Sequence, residues 1–469
     1  MEKIKNIFPE KNGHHFVIFG DSCSGIPGLT HESNLSLINS VLQNLEEKPQ
    51  FIIFTGDEIT GLTNNEQDLR RQWDYWLNVE MKWVKQSKIP LYNSTGNHTT
   101  YNRMSERVFT EIFSNLPQNG PDEQKGLSYY ITRNDLLLIF VNTMWSGIGG
   151  EGRIETQWLE DVLTKHSDYK FKIVIGHHPI FSANGFKGDF QREVESENGR
   201  CFWDILKKHN VFAYICSHIL AFDVQLHEGV MQLLTAGAGT SHRMPEENEY
   251  LHLVQAAIDK SGICYQVIDQ NGHRKEWLKW PVNLPPSKDW KNIIKNNDNL
   301  DLLNWGNSNY HCISVWNLSG QIYGDRYGYP QTLISGIDSI VDIPSIWIGL
   351  TGLEQKLTIY LSPEPRKSPH HWYGPEFCNN KSFNFQIMVH NGMRAGRLLF
   401  RYNDNDYWSS MKSASAWGAE RLKWPKYWTF GKNHEGIEDK MDFKGKKLEI
   451  RWFSSEKSFQ ELFLKNSKQ

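Results

Sequence analysis

Five times in the first 220 residues a short apolar run stops at a small residue and then a polar one. Residues 15–19 lead into Gly20-Asp21, 51–55 into Gly56-Asp57, and 89–94 toward Gly96-Asn97-His98. Residues 171–175 lead into Gly176-His177-His178, and 211–216 into Ser217-His218. A run of strand length that is apolar at nearly every position is buried on both faces. The polar residue just past it then falls at the carboxyl end of the strand, where ligands gather in α/β sheets. One such tip is more simply a turn with a polar residue on it. Five in succession are hard to produce that way, so Asp21, Asp57, Asn97, His177 and His218 are expected to converge although they are far apart in the chain.

Between these runs the hydrophobic period changes to that of a helix. Leu35, Ile38, Leu42 and Leu45 mark a helix over 33–45, with Ser33 or Asn34 as its cap. Leu69, Trp73, Trp76, Glu80 and Trp83 mark a long one over 66–88, and shorter ones are expected near 106–116, 154–166 and 201–209. With further strands at 127–132, 136–142 and 231–235, the alternation predicts a layered α/β domain.

The pattern breaks near residue 280. Pro285-Pro286 and the run from Asn296 to Asn299 predict a linker. Beyond it Phe383, Phe385, Ile387 and Val389 alternate with polar residues or Met388, as do Leu448, Ile450 and Trp452, and 356–361 and 397–402 also read as strands. That is an all-β pattern, most simply a two-sheet sandwich. The expected organisation is a domain over 1–280, a linker over 281–305 and a β-sandwich-like domain over 306–469.

Charge excludes some functions. The 51 Lys and Arg against 54 Asp and Glu leave a net charge of −3, which argues against a strongly basic nucleic-acid binder. The longest apolar stretches, such as 136–141, are too short to span a bilayer, and no apolar run precedes Phe16 as a signal peptide would need. The six cysteines form no CxxC pair, and several sit in apolar runs, so buried reduced thiols and a cytoplasmic location are expected.

Two carboxylates, a carboxamide and two imidazoles at strand ends suit Mn, Fe, Zn or Co better than an all-oxygen Mg or Ca cage. The order of these motifs resembles the calcineurin-like metallophosphoesterase family. Its pattern runs Asp-x-His, Gly-Asp, Gly-Asn-His followed by an acid, Gly-His, and Gly-His-x-His. Here the corresponding segments are Asp21-Ser22-Cys23, Gly56-Asp57-Glu58-Ile59, Gly96-Asn97-His98-Thr99, Gly176-His177 and Ser217-His218-Ile219-Leu220. The stretches from Val174 to Ile180 and from Thr235 to Gly239 are similar to the purple acid phosphatase branch. The resemblance covers about residues 14–270 and implies a four-layer α/β sandwich that hydrolyses phosphoric esters. It implies two metal ions sharing Asp57, with Asn97, His177 and His218 completing one site and Asp21 belonging to the other. His98 would protonate the leaving oxygen.

The second of those sites departs from the pattern. Cys23 and Leu220 stand where the family has histidines, Thr60 where purple acid phosphatases have a tyrosine, and Thr99 where an acid should follow His98. A Cys23 thiolate could ligate a softer metal, whereas Leu220 offers no donor. His178, His227 and His242 are the nearby histidines that could reach in. The sequence therefore leaves two readings: a phosphoesterase with one full donor set and a second that is short, or a pseudophosphatase kept as a binding or scaffold protein. In the C-terminal half Trp408, Trp417, Trp424 and Trp428 fall in a loop-like stretch, which raises a glycan-binding face as a further expectation.

Overall fold

The computed structural model describes residues 3–6, 13–148, 150–182, 193–240, 250–260, 262–280, 290–295 and 298–299. Further on it describes 313–323, 328–337, 346–361, 370–377, 381–390, 397–402, 405–410, 412–413, 425, 427–433 and 439–455. These fall into two compact units that part at residues 281–282.

The first unit begins with strands β1 (His14–Phe19), β2 (Phe51–Phe54) and β3 (Leu91–Asn93). A second sheet takes β4 (Tyr129–Arg133), β5 (Leu136–Phe140), β6 (Phe171–Ile175), β7 (Ala213–Cys216), β8 (Phe222–His227) and β9 (Val230–Thr235). The chain then returns to the first sheet with β10 (His252–Asp259), β11 (Gly262–Asp269) and β12 (Arg274–Trp280). The orders are β12-β11-β10-β1-β2-β3 and β8-β9-β7-β6-β5-β4. Strands β1, β2 and β3 are parallel, as are β5, β6, β7 and β9. That is why all of these except the edge strand β3 are buried along their whole length instead of alternating.

The sheets face each other through Tyr92 against Phe140 and Phe222 against Tyr265, with ring centroids 6.3 and 5.7 Å apart. Helices cover the outer faces. Helix α1 (Thr30–Gln43) lies against β10 and β11, and α2 (Glu66–Tyr75) sends Trp73 into a cluster with Phe109 and Phe113 on and beside α4 (Arg103–Ile112). Helices α5 (Thr156–Lys165) and α6 (Ser196–Lys208) pack Leu159, Leu163, Phe202 and Leu206 onto Leu137, Val174 and Tyr214. Helix, sheet, sheet, helix makes the expected α/β layers.

Two local expectations need correcting. Helix α1 starts at Thr30, ahead of Ser33 and Asn34, and has no side-chain cap; Glu32 in its first turn accepts from the Gly28 N–H at 2.6 Å. The stretch 66–88 is not one helix. After α2 it widens into a π-helical turn, Trp76–Glu80, and resumes as α3 (Lys82–Ser87). The wide turn re-aims Glu80, whose carboxylate accepts from the Ser24 hydroxyl and from the Gly25 N–H (3.0 Å) in the loop after β1.

The second unit is antiparallel β throughout its described strands. One sheet orders Asp298–Asn299, Lys291–Lys295, Lys446–Ser455, Ile313–Gln321, Ser382–His390, Arg397–Tyr402 and Asn405–Ser410. The other orders Lys412–Ser413, His370–Glu376, Lys356–Leu361, Ile346–Leu350, Gln331–Ile337 and Tyr427–Phe430. Both feed one core, with Leu318, Phe385 and Ile450 from the first and Ile334, Ile348 and Ile359 from the second. The linker expected over 281–305 is therefore too long. Residues 291–295 pair with the last strand, and Ile293 and Ile294 are buried, because this apolar pair inside a polar stretch finds the sandwich core. Trp452 and Trp428 are partly buried against that core; Trp417 and Trp424 lie outside the described residues. That placement gives the glycan-binding expectation no support. Among the described residues no helix is long and apolar enough to cross a membrane. Of the described cysteines, Cys23, Cys216 and Cys264 are buried as expected and Cys201 on α6 is exposed.

Candidate metal centre

Each polar tip sits at the carboxyl end of a parallel strand: Asp21 after β1, Asp57 after β2, Asn97 and His98 after β3, His177 after β6, His218 after β7. The backbone turns sharply there. Asp21, Cys23, Asp57 and His218 all take left-handed φ, at 60°, 42°, 56° and 68°. Such conformations are unfavourable for residues with a side chain and persist where surrounding bonds over-determine them. Here the Asp21 and Cys23 N–H groups donate to the Gly56 and Asp57 carbonyls at 3.0 and 2.8 Å, and the Ser217 N–H donates to the His177 carbonyl at 2.8 Å. Two glycines let the loops close this far. A Cβ on Gly56 would stand 2.8 Å from the His177 ring, and one on Gly96 would collide with Asp57.

The result is a knot of donor atoms. Asn97 Oδ1 lies 3.0 Å from His177 Nε2 and 2.9 Å from His218 Nδ1, and those two nitrogens are 3.2 Å apart. Asp57 Oδ2 is 3.2 Å from His177 Nε2. All of them are buried or half-buried. His177 donates its Nδ1 hydrogen to the Thr55 carbonyl at 2.9 Å, so in the neutral ring the Nε2 lone pair faces three other acceptors. Neighbouring ligands of an ion about 2.0–2.3 Å away stand roughly 3 Å apart, which is the spacing found. Asp57, Asn97, His177 and His218 thus fit a divalent metal of the N/O-binding kind.

The electrostatics point the same way. Burial alone would push the His177 ring down, but the Asp57 and Asp21 carboxylates outweigh it and raise it to about 9. Burial likewise opposes ionisation of Asp57, and His177, then His98, overcome it and hold the carboxyl at about 2. Asp21 goes up to about 6 through burial and the Asp57 charge, against the pull of His177.

The other expected site residues are placed as follows. Asp21 turns its Oδ2 to the His218 N–H at 3.2 Å, so it buttresses the His218 turn. His98 donates its own N–H to Asp57 Oδ1 at 2.8 Å, and its Nδ1 hydrogen goes to the Thr60 carbonyl, also at 2.8 Å. That carbonyl does the orienting work expected of an acid after His98. Thr99 instead ties the turn, accepting from the Gly96 N–H at 3.0 Å. His227 stacks on Phe181 with centroids 3.7 Å apart and, among the described residues, belongs to none of the metal-sized groups; His242 lies outside the described residues.

Sequence reasoning missed Glu151. Its carboxylate accepts from His178 Nε2 at 3.2 Å and lies 3.9 Å from His218 Nε2, while His178 Nδ1 pairs with the Thr143 hydroxyl at 2.7 Å. The hydrogen bond from His178 keeps Glu151 low, and burial keeps His178 below its ordinary value. Glu151 sits in a glycine-rich loop, away from any strand end, and so carried no signal.

Residues 14–222 match the profile of the calcineurin-like phosphoesterases. The matched segment is similar to that family. The chain is 29% identical over 215 residues to "Probable glycerophosphodiester phosphodiesterase GpdQ" of Arcobacter nitrofigilis, spanning 45% of this chain and 70% of that one. Among solved structures, purple acid phosphatase PPD1 from yellow lupin matches 58% of this chain and 54% of its own at a TM-score of 0.43 and 13% identity. GAP50 of Plasmodium, described as the anchor in the inner membrane complex, matches 57% of this chain and 88% of its own at 0.42 and 15%. Metallophosphoesterases are hydrolases of phosphoric esters that use divalent metals, and the donor knot lies inside the matched segment.

Proposed function

We propose that this protein hydrolyses a phosphoric ester with one divalent ion held by Asp57, Asn97, His177 and His218. The observation that carries this is the packing of donor atoms around His177 Nε2, which lies 3.0–3.2 Å from Asn97 Oδ1, His218 Nδ1 and Asp57 Oδ2. An ion there would supply Lewis-acid polarisation of a phosphoryl oxygen and a lowered pKa for water. His98, half-buried and fixed through Nδ1, presents Nε2 to protonate the leaving oxygen. A phosphodiester is the substrate class to try first, since the relative at 29% identity is named for one.

The second reading, a pseudophosphatase acting as a binding or scaffold protein, draws on Cys23 and Leu220 at the remaining site. One experiment separates the two. The full chain is loaded in turn with Mn, Zn, Co or Fe, its metal content is determined, and hydrolysis of bis(p-nitrophenyl) phosphate and p-nitrophenyl phosphate is followed. The enzyme reading requires metal-dependent turnover that is lost in His177→Ala. Binding of the ion with no turnover on any ester favours the scaffold.

A further inference from the structure

One face of α2 and the π-helical turn after it touches both loops that carry Asp21 and Asp57. Gln72 Oε1 accepts from the Gly61 N–H at 2.8 Å, and Trp76 Nε1 donates to the Ser22 hydroxyl at 3.4 Å. Glu80 accepts from the Ser24 hydroxyl through Oε1 and from the Gly25 N–H through Oε2, the latter at 3.0 Å. An α-helix overshoots a full turn at each four-residue step, whereas a π-turn falls short of one. The wide bond from the Met81 N–H to the Trp76 carbonyl, 2.8 Å, therefore returns Glu80 to the face of Gln72 and Trp76. Asn39 pins that turn from α1, its Nδ2 donating to the Glu80 carbonyl at 2.9 Å. Gly25 lets the loop come this close: its φ is 86°, and a Cβ there would stand 2.9 Å from the Gln72 carbonyl oxygen.

The clamped loop leads to two of the four donors. The Cys23 and Ser24 N–H groups donate to the Asp57 and Glu58 carbonyls at 2.8 and 3.0 Å, and the Thr60 N–H returns to the Ser24 carbonyl at 2.8 Å. At the other end of the loop Asp21 Oδ2 accepts from the His218 N–H at 3.2 Å. Asp57 and His218 both hold left-handed φ, which lasts only where neighbouring bonds over-determine it. We propose that Glu80 is a positioning residue of the metal centre. It touches no donor itself; it fixes the loop after β1, and through that loop it keeps Asp57 and His218 in their strained turns. This rests on the reading of Asp57, Asn97, His177 and His218 as the donors of one ion.

The test compares the wild-type full chain with Glu80→Ala and Glu80→Gln, each checked for native far-ultraviolet circular dichroism. Glu80→Ala removes both acceptors. In Glu80→Gln the amide oxygen can accept from Gly25 while the amide hydrogens donate to the Ser24 hydroxyl, so the clamp is kept. Hydrogen exchange on the metal-free chains reads the clamp without any ion. The Cys23, Ser24 and Thr60 amides should exchange at least about tenfold faster in Glu80→Ala and near the wild-type rate in Glu80→Gln, with the β6 amides unchanged in both. Calorimetric titration with zinc or manganese should show affinity at least about tenfold weaker in Glu80→Ala and within about threefold of wild type in Glu80→Gln. Unchanged loop exchange in Glu80→Ala would overturn the proposal. So would faster exchange with unchanged affinity, which is the mark of a merely structural role, or equal losses in the two variants. A wild type that binds no ion would instead sink the four-donor reading, and the exchange comparison would still decide whether Glu80 holds the loops.

Discussion

The Nδ1 hydrogen of His177 is donated to the carbonyl of Thr55 at 2.9 Å, and this bond decides which way the ring's lone pair points. Metal binding should therefore compete with one proton at Nε2. The His177 ring titrates at about 9 in the metal-free protein, so below that value a proton must leave before an ion enters. Affinity for manganese or zinc is expected to fall by about tenfold per pH unit below about pH 9, as measured by calorimetric titration. In the absence of metal the sign for stability is the opposite. The raised value contributes stability that is fully present below the usual 6.5 and is lost as pH rises through about 9.

Glu58 supplies a separate pH effect. It is fully buried, Asn93 Nδ2 donates to its Oε1 at 2.7 Å, and burial raises it from 4.5 to about 8. A raised carboxyl contributes stability that is complete below 4.5 and is lost as pH climbs through about 8. Glu58→Gln keeps the hydrogen bond and removes the titration. Urea melts should show the variant gaining on the wild type between about pH 5 and 8, by on the order of a few kcal/mol at the upper end. Parallel pH profiles for the two proteins would contradict this.

His98 should matter most where the leaving group is poor. His98→Asn is expected to lower kcat on an alkyl phosphodiester by about 10²–10⁴. The loss should be much smaller on a p-nitrophenyl ester, whose leaving group needs no proton. Equal losses on both would mean that the His98 ring does not act as the leaving-group acid, since His98→Asn keeps the backbone N–H that holds Asp57.

Cys23 and Leu220 are the two departures from the family's second metal site, and both can be reversed. Cys23→His with Leu220→His should raise the metal content from near one to near two ions per chain and increase turnover. Metal analysis of the double variant checks this. A content that stays at one would mean that Asp21, already bonded to the His218 N–H, is not released to ligate.

The strand-end residues were legible in sequence because parallel strands buried on both faces are apolar throughout, which makes a terminal Asp57 or His177 stand out. The alternation of Phe383, Phe385 and Ile387 revealed the sandwich for the same kind of reason, since one face is buried. What stayed hidden depends on backbone geometry rather than residue type. The π-helical turn that aims Glu80 at Ser24 leaves the helical spacing of Trp73 and Trp76 intact, so a single helix was the natural expectation. The partner of His98 was unreadable because it is the carbonyl of Thr60, a group every residue carries. Glu151 reaches its histidines from a loop, and Ile293-Ile294 is too short a run to announce a strand.

Metal content measured by elemental analysis on the dialysed full chain tests the central claim most directly. The four-donor centre predicts about one tightly held divalent ion per chain in the wild type, and affinity at least about tenfold weaker in both Asn97→Ala and His177→Ala with the fold retained. A folded wild type that retains no ion from any of manganese, zinc, cobalt or iron, or variants that bind as tightly as the wild type, would contradict it.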